Sequence, residues 1–201
     1  MNEAPGLRDR RRAQTAQEIA EAAAALFAER GVSGVTAAEI AERAGVSLRT
    51  FYRYFATKED AVAPVLEVGA ARWQAALAES ADDPAVAIPA VMGAQLTPGS
   101  DAEADGLARM RPLLRGIDED RELRAVWLRV NEESERRLVT IIRDRAGADR
   151  FQAGLLAAAA TASIRLALEE WARTEAGVHG EGSPAQLAKR AFAALAPAAA
   201  S

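Results

Sequence analysis

Cysteine and histidine are almost missing from this chain of 201 residues, which contains no Cys and one His. Without Cys it can form neither a disulfide nor a thiolate metal site, and it cannot sense redox state through a thiol. The one histidine, His179, lies in a loop sequence beside Gly180, so neither a zinc site nor histidine-based general-base catalysis is expected. The Glu and His spacing of di-iron bundles is missing as well. We therefore expect no enzyme activity and no cofactor.

Long apolar runs are missing too. The most apolar stretch, residues 154–168, is interrupted by Arg165 and is too short to span a bilayer, and no signal-peptide pattern stands at the N-terminus. We expect a soluble, cytoplasmic protein with no membrane partner.

The alternating pattern of a β-strand is not found, whereas helical periodicity recurs along the chain. The predicted fold class is all-α, with about nine helices.

No excess of positive charge marks the chain as a nucleic-acid binder, because its net charge is −4. The distribution of charge is more informative than its sum. Residues 1–60 hold nine Arg or Lys and nine Asp or Glu, so residues 61–201 carry the whole deficit. Residues 1–9 are expected to be a flexible arm before a first helix over residues 14–30. The arginines around the end of this arm, which could contact a DNA backbone or be a solvated charge run, are Arg8, Arg10, Arg11 and Arg12.

Residues 36–58 form the most informative segment. Thr36 and Glu39 have the T-x-x-E spacing of a capping box, which predicts the start of a short helix. Gly45 can adopt the left-handed backbone of a tight turn, and Ser47 is expected to cap a second short helix over residues 48–54. Two short capped helices joined by a glycine turn have the layout of a helix-turn-helix.

The second of these helices carries side chains suited to DNA. Leu48, Arg49 and Thr50 lie in its first turn, where a recognition helix meets base edges, and an arginine can bond guanine O6 and N7 together. Tyr52 and Tyr54 are placed to donate to phosphate, or they are packing residues with a wet edge. Lys58 opens the next helix, where its ammonium would favour an anion.

The pattern T-x-x-E-I-A-x-x-A-G-V-S-x-x-T-F-Y-x-Y-F-x-x-K-E, at residues 36–59, resembles the N-terminal domain of the TetR family of transcriptional regulators. The resemblance covers about residues 12–60. It implies an all-helical homodimer that binds a palindromic operator, usually as a repressor, and releases it when a small ligand fills the C-terminal domain. It implies that Leu48 and Arg49 set the sequence preference for DNA. It also implies that DNA is contacted by the residues at six family positions, which are Thr36, Ser47, Thr50, Tyr52, Tyr54 and Lys58.

We therefore expect two domains. The first is a helix-turn-helix domain with a basic N-terminal arm over residues 1–58, and the second is a helical ligand-binding and dimerisation domain over residues 59–201. Pro64 predicts a bend or a restart in the fourth helix, and Pro89 a kink or a shortening of the fifth. Gly116 is expected to end a helix over residues 103–115.

The ligand pocket is expected where apolar side chains of four helices converge, with a few polar groups among them. The same residues would also suit an ordinary core. They are Trp73, Met92, Gln95, Met110, Leu114, Trp127, Val130, Asn131, Ser134, Thr161 and Arg165. Arg165 either pairs with Glu169 one turn later or anchors an anionic effector.

Small residues in a helix over residues 149–174 permit close approach of a second helix. Together with the last helix it would form a four-helix dimer interface, or else pack only within one chain. The residues predicted for the interface are Ala158, Ala162, Leu166, Phe192 and Leu195.

The C-terminal half also has a weaker resemblance, to the TetR-type regulators found with mycofactocin redox systems, among whose relatives acyl-CoA-like effectors occur. It rests on Arg121, Arg124, Trp127, Glu135 and the run ending at Trp171. The sequence thus predicts a DNA-binding repressor that a small, largely apolar ligand releases. The alternative is a helical protein-interaction module without specific DNA binding.

Overall fold

Helices make up the framework of the protein, which this computed structural model describes over residues 6–196. Nine α-helices and one short 3-10 turn (Asp60–Val62) occur in that range, with no strand, as the all-α prediction requires. The helices are α1 (Leu7–Arg30), α2 (Ala37–Arg43), α3 (Leu48–Tyr54), α4 (Ala63–Glu79), α5 (Pro84–Gln95), α6 (Asp101–Glu119), α7 (Arg121–Ala146), α8 (Arg150–Arg173) and α9 (Pro184–Leu195).

Local capping signals fix the ends of the short helices. The Thr36 hydroxyl accepts from the backbone N–H of Glu39, and the Glu39 carboxylate accepts from the backbone N–H of Thr36 at 2.8 Å. Ser47 caps α3 by accepting from the N–H of Thr50. Gly45 has a φ of +67°, the left-handed conformation predicted for the turn. These local predictions are confirmed.

The proline prediction is also confirmed at Pro64, since the 3-10 turn ends at Val62 and α4 starts at Ala63 with Pro64 in its first turn. Lys58 therefore precedes the helix that it was expected to open. Proline is tolerated in a first turn because no backbone hydrogen bond is lost there. Pro89 does not shorten its helix, since α5 continues to Gln95.

Two boundaries differ from expectation. Helix α1 begins at Leu7, so Arg8 to Arg12 are helical and not part of a flexible arm; residues 1–5 of that arm lie outside the described range. Arginine and alanine favour helices, and no glycine or proline interrupts them after Gly6. Gly116 lies inside α6, which ends where Asp120 caps α7. A Cβ at Gly116 would lie 3.2 Å from Val32 Cγ2, so this glycine serves close packing instead of helix termination.

Two apolar cores lie along the molecule. The first packs the helix-turn-helix residues Ile40 and Phe51 together with Ile117 of α6 and Trp171 of α8. The second packs α4, α5, α7, α8 and α9 around side chains such as Ile88 and Phe192. Because the first core crosses from α1–α3 into α6–α8, the DNA-side helices rest directly on the body.

Helix α8 is the one helix between residues 6 and 196 with the length and apolar content to cross a membrane. The apolar stretch over residues 154–168 is the middle part of this 24-residue helix. A core helix has the same composition, and α8 packs against α6, α7 and α9 with Ala157, Ala160 and Trp171 buried.

Candidate DNA-binding surface and ligand cavity

Helices α2 and α3 are joined by a short turn and braced against α1. The N–H of Val46 donates to the carbonyl of Ala41, which closes the turn. Two ion pairs of 2.9 Å tie α2 to α1, one between Arg30 and Glu39 and one between Glu29 and Arg43. The turn and the two ion pairs together define how α2 is placed against α3 and α1.

Helix α3 separates a buried from an exposed face. Phe51 is fully buried, whereas Leu48 and Tyr52 are 43% and 54% exposed. Arg49 is exposed, and none of the hydrogen bonds and ion pairs found between residues 6 and 196 uses its guanidinium. The exposed face thus presents an apolar, a cationic and a phenolic side chain in a row, as a recognition helix requires.

Arg53 extends this row, although the sequence interpretation missed it. It lies one turn after Arg49, and that i,i+4 spacing was a usable signal. Its guanidinium lies 5.4 Å from the ring centre of the half-buried Tyr54, and the guanidinium of Arg12 lies 6.0 Å from the same ring. Tyr54 therefore joins the basic start of α1 to the end of α3, and the two form one basic surface.

Three hydroxyl groups that were predicted to contact DNA already form hydrogen bonds at the starts of α2 and α3. Thr36 donates to the Glu39 carboxylate at 2.7 Å, and Ser47 and Thr50 share a hydrogen bond of 2.9 Å. The Thr36 hydrogen bond, followed by that from Arg30, lowers the pKa of Glu39 from 4.5 to about 2. The carboxylate therefore stays ionised and holds the cap at neutral pH.

Lys58 does not direct its ammonium at solvent, contrary to the prediction that it offers a phosphate contact. Its Nζ donates to the carbonyls of Val32 at 2.6 Å and Val35 at 2.8 Å, and it lies 3.6 Å from the buried carboxylate of Glu59. The side chain is 23% exposed. Because the turn before α2 leaves these carbonyls without helical partners, the lysine fastens that turn to the segment before α4.

Comparison with known proteins identifies this arrangement. Residues 19–63 match the family model described as bacterial regulatory proteins, tetR family. The chain is 33% identical over 174 residues to the HTH-type transcriptional regulator TcmR of Streptomyces glaucescens, which covers 83% of this chain and 77% of that protein. The chain belongs to the TetR family. It is therefore a DNA-binding transcriptional regulator.

Two further proteins are similar to this chain, one over a short stretch of sequence and one in fold. The HTH-type transcriptional repressor KstR2 of Mycobacterium tuberculosis is 45% identical over 49 residues, or 24% of each chain. A TetR regulator from Rhodococcus sp. RHA1 has the same fold, with a TM-score of 0.59 over 92% of this chain and 97% of that one, at 22% identity. The resemblance to mycofactocin-associated regulators stays a prediction.

A cavity of ≈ 540 Å³ lies in the C-terminal body of this TetR-family chain. Its wall brings together ten of the eleven residues predicted for a ligand pocket: Trp73, Met92, Gln95, Met110, Leu114, Trp127, Val130, Asn131, Ser134 and Thr161. Sequence reasoning missed two wall residues of α1, Gln17 and Glu21. The N-terminal helix of a DNA-binding unit gave no reason to expect them there.

Arg165 is the eleventh residue, and it does not line the cavity. Its guanidinium donates to the Glu169 carboxylate at 3.1 Å, as in the ion-pair alternative. The same carboxylate accepts from the Trp127 indole N–H at 2.8 Å. The prediction of Arg165 as a pocket residue that anchors an anionic effector is therefore wrong.

The outer face of α8 carries an apolar stripe. Ala158, Ala162 and Leu166 continue at three- and four-residue spacing from Phe151 and Leu155, two exposed residues that were not predicted. Exposed fractions are 74% for Phe151 and 56% for Leu155.

The two residues predicted from α9 separate in the structure. Leu195 is 52% exposed, whereas Phe192 is fully buried in the second core. Phe192 packs within the chain, so its prediction as an interface residue is wrong.

Proposed function

We propose that this TetR-family protein is a homodimeric repressor that binds a palindromic operator and releases it when a small, largely apolar ligand fills the cavity. The observation that carries the proposal is that α1, the first helix of the DNA-binding unit, forms part of the cavity wall through Gln17 and Glu21. A ligand there would contact the DNA-binding unit directly.

The DNA contacts in this proposal fall into two groups. Arg49, Leu48 and Thr50 would meet base edges, while Tyr52 and the basic start of α1 would meet phosphates, which position the helix. Arg12 supports the second group because it already lies beside the end of α3. Residues 1–58 form the DNA-binding part and residues 59–201 the ligand-binding and dimerisation part.

The dimer in this proposal uses the outer stripe of α8 with α9. Two such helices from each subunit would form a four-helix bundle around a two-fold axis. The proposed dimer is supported by three exposed apolar side chains, Phe151, Leu155 and Leu166. Because they lie along one face of α8, covering them with a second subunit would stabilise the dimer. A two-fold pair of recognition helices would meet half-sites about 34 Å apart.

Two contacts support a route from the cavity to DNA. Helix α6 lines the cavity and packs through Gly116 against Val32, in the turn before α2. On α7, Arg129 lies between the wall residues Trp127 and Val130 and forms a 2.6 Å ion pair with Asp60 of the 3-10 turn. Ligand binding would therefore reach the turn before α2 and the 3-10 turn that leads into α4.

A cavity-filling variant tests the ligand step. Gly106 lines the cavity on α6, and the nearest atom to a Cβ built there is Arg109 Nη2 at 3.9 Å, so Gly106→Leu can project into the cavity. Compounds that raise the melting temperature should release wild-type protein from an operator duplex in gel shifts. Gly106→Leu should bind the duplex normally but release it at least tenfold less readily.

The matched control is Ala108→Leu, at an exposed position of the same helix. It should behave like wild type. Equal release by Gly106→Leu and wild type would contradict the proposal, and failure of any duplex to bind would favour the interaction-module alternative.

A regulator of this type would act in the cytoplasm, where its operator lies.

A further inference from the structure

The exposed part of the cavity wall comes mainly from two helices, α4 and α6. Of its seven exposed residues, all except Glu21 and Gln95 lie within residues 68–72 of α4 or at the start of α6. Neither helix packs extensively on the other, since α4 packs on α1, α5 and α7 and α6 packs on α1, α7 and α8. The cavity therefore opens to solvent between α4 and α6. The exposed wall residues of these two helices are Val68, Gly69, Arg72, Ala102 and Glu103.

Two glycines line the wall at this opening, Gly69 on α4 and Gly106 on α6. Glycine inside a helix is less stable than alanine, so its presence calls for a reason. The backbone does not require it, because neither glycine has a positive φ. Packing does not require it either: a Cβ at Gly69 would meet no atom within 4 Å, and the nearest atom to one at Gly106 would be Arg109 Nη2 at 3.9 Å. Unlike Gly116, which lies against Val32, these two glycines leave open space between the helices.

An ion pair bridges the same opening. Arg72 Nη2 lies 3.5 Å from Glu103 Oε1, and between residues 6 and 196 this is the only ion pair that joins α4 to α6. Arg72 follows Gly69 by three residues and Glu103 precedes Gly106 by three, so the pair lies about one helical turn from each glycine. The Glu103 carboxylate is held in place by the backbone N–H of Gly99 at 2.8 Å. Because the two side chains are 63% and 48% exposed, water competes for both charges and the pair can open readily.

We propose that the ligand enters the cavity between α4 and α6, through the gap left by Gly69 and Gly106, and that the Arg72–Glu103 ion pair closes this gap. The inference rests on the proposed function, because it concerns the route of the ligand into the same cavity. The pair lies at the solvent edge and not in the buried wall. Losing it therefore lowers the barriers to entry and exit equally and leaves the affinity unchanged.

Stopped-flow fluorescence with N-phenyl-1-naphthylamine, an uncharged dye that fluoresces in apolar surroundings, tests the role of the ion pair. The dye is mixed with the full-length protein without DNA. In Arg72→Gln, the association and dissociation rate constants should both rise by about two- to fivefold, the range expected for loss of an exposed ion pair, while the dissociation constant stays unchanged. The variant and wild type should become alike in about 1 M NaCl, because salt screens the pair.

The matched control is Arg136→Gln, which removes an exposed ion pair with Glu132 within α7. It should change neither rate constant.

Gly69→Leu tests the gap itself by placing a side chain in it. Both rate constants should fall by about two- to tenfold, the range expected if the leucine must leave its preferred rotamer for the dye to pass, and the dissociation constant should again stay unchanged. Ala71→Leu, at an exposed position of the same helix outside the wall, should behave like wild type. Thermal melting verifies that the variants are folded.

Unchanged rate constants in either Arg72→Gln or Gly69→Leu would overturn the proposal, and so would an altered affinity with an unchanged association rate constant. Absence of dye binding would also overturn it, because the gap would then admit no apolar molecule. Operator release is measured separately. If the rate constants change as expected but the dye never releases operator DNA, the entrance stands and the proposed repressor mechanism fails.

Discussion

Lys58→Met separates a structural lysine from a phosphate-binding one. Methionine keeps most of the apolar stem but removes the ammonium that bonds the carbonyls of Val32 and Val35. Hydrogen bonds from a charged group are each worth about 1.5–3 kcal/mol, and partial exposure of Lys58 reduces this through solvent screening. We expect the free energy of unfolding to fall by about 2–4 kcal/mol. That is a large share of the ~5–15 kcal/mol typical of a folded protein.

Urea unfolding followed by circular dichroism measures this loss, and operator binding at several salt concentrations measures the phosphate contribution. Lys189→Met is the matched control, because Lys189 is the only other lysine and is exposed on α9. We expect Lys58→Met to lose stability while its salt dependence stays that of wild type. Unchanged stability together with a salt slope smaller by about one would show that Lys58 binds phosphate instead, since that is the signature of one lost phosphate contact.

Three more predictions follow from the geometry. Because the pKa of Glu39 is lowered to about 2, its stabilisation is complete above its ordinary pKa of 4.5 and is lost as the pH falls towards 2. The difference in the free energy of unfolding between wild type and Glu39→Gln should shrink as the pH falls over that range. A difference that stays constant would contradict the role of the Glu39 carboxylate in capping α2. Leu155→Glu should shift the protein from dimer to monomer in sedimentation at micromolar concentration, because it places a charge in the apolar stripe of α8. Leu128→Glu, at an exposed position of α7, should leave the dimer unchanged. An unchanged dimer for both variants would exclude the α8 stripe as the dimer interface. Arg53→Ala should weaken operator binding and lower its salt slope by about one, while Arg137→Ala on α7 should change neither; equal slopes would remove Arg53 from the DNA surface.

Local signals explain why the helix-turn-helix was predictable. The Thr36 and Glu39 capping box and the Ser47 cap act between residues three apart, and the φ of Gly45 is a property of one residue. The cavity residues could also be predicted, because apolar periodicity identifies inward faces. It does not distinguish a cavity wall from a filled core.

Non-local contacts explain the errors. Lys58 bonds carbonyls 26 and 23 positions earlier, so its role could not be predicted from its neighbours in the sequence. Gly116 looked like a helix end but allows α6 to approach Val32. Phe192 lies on an apolar face of α9, and sequence alone could not say whether that face meets α5 and α8 or a second chain.

Selection from random duplex DNA tests whether this protein binds a palindromic operator through α3. Purified protein, with Arg49→Ala in parallel, is used to enrich bound duplexes over successive rounds. For wild type we expect an inverted repeat with half-sites about one helical turn apart, and for Arg49→Ala we expect loss or change of the guanine preference. No enriched sequence for wild type, or the same sequence enriched equally by both proteins, would contradict it.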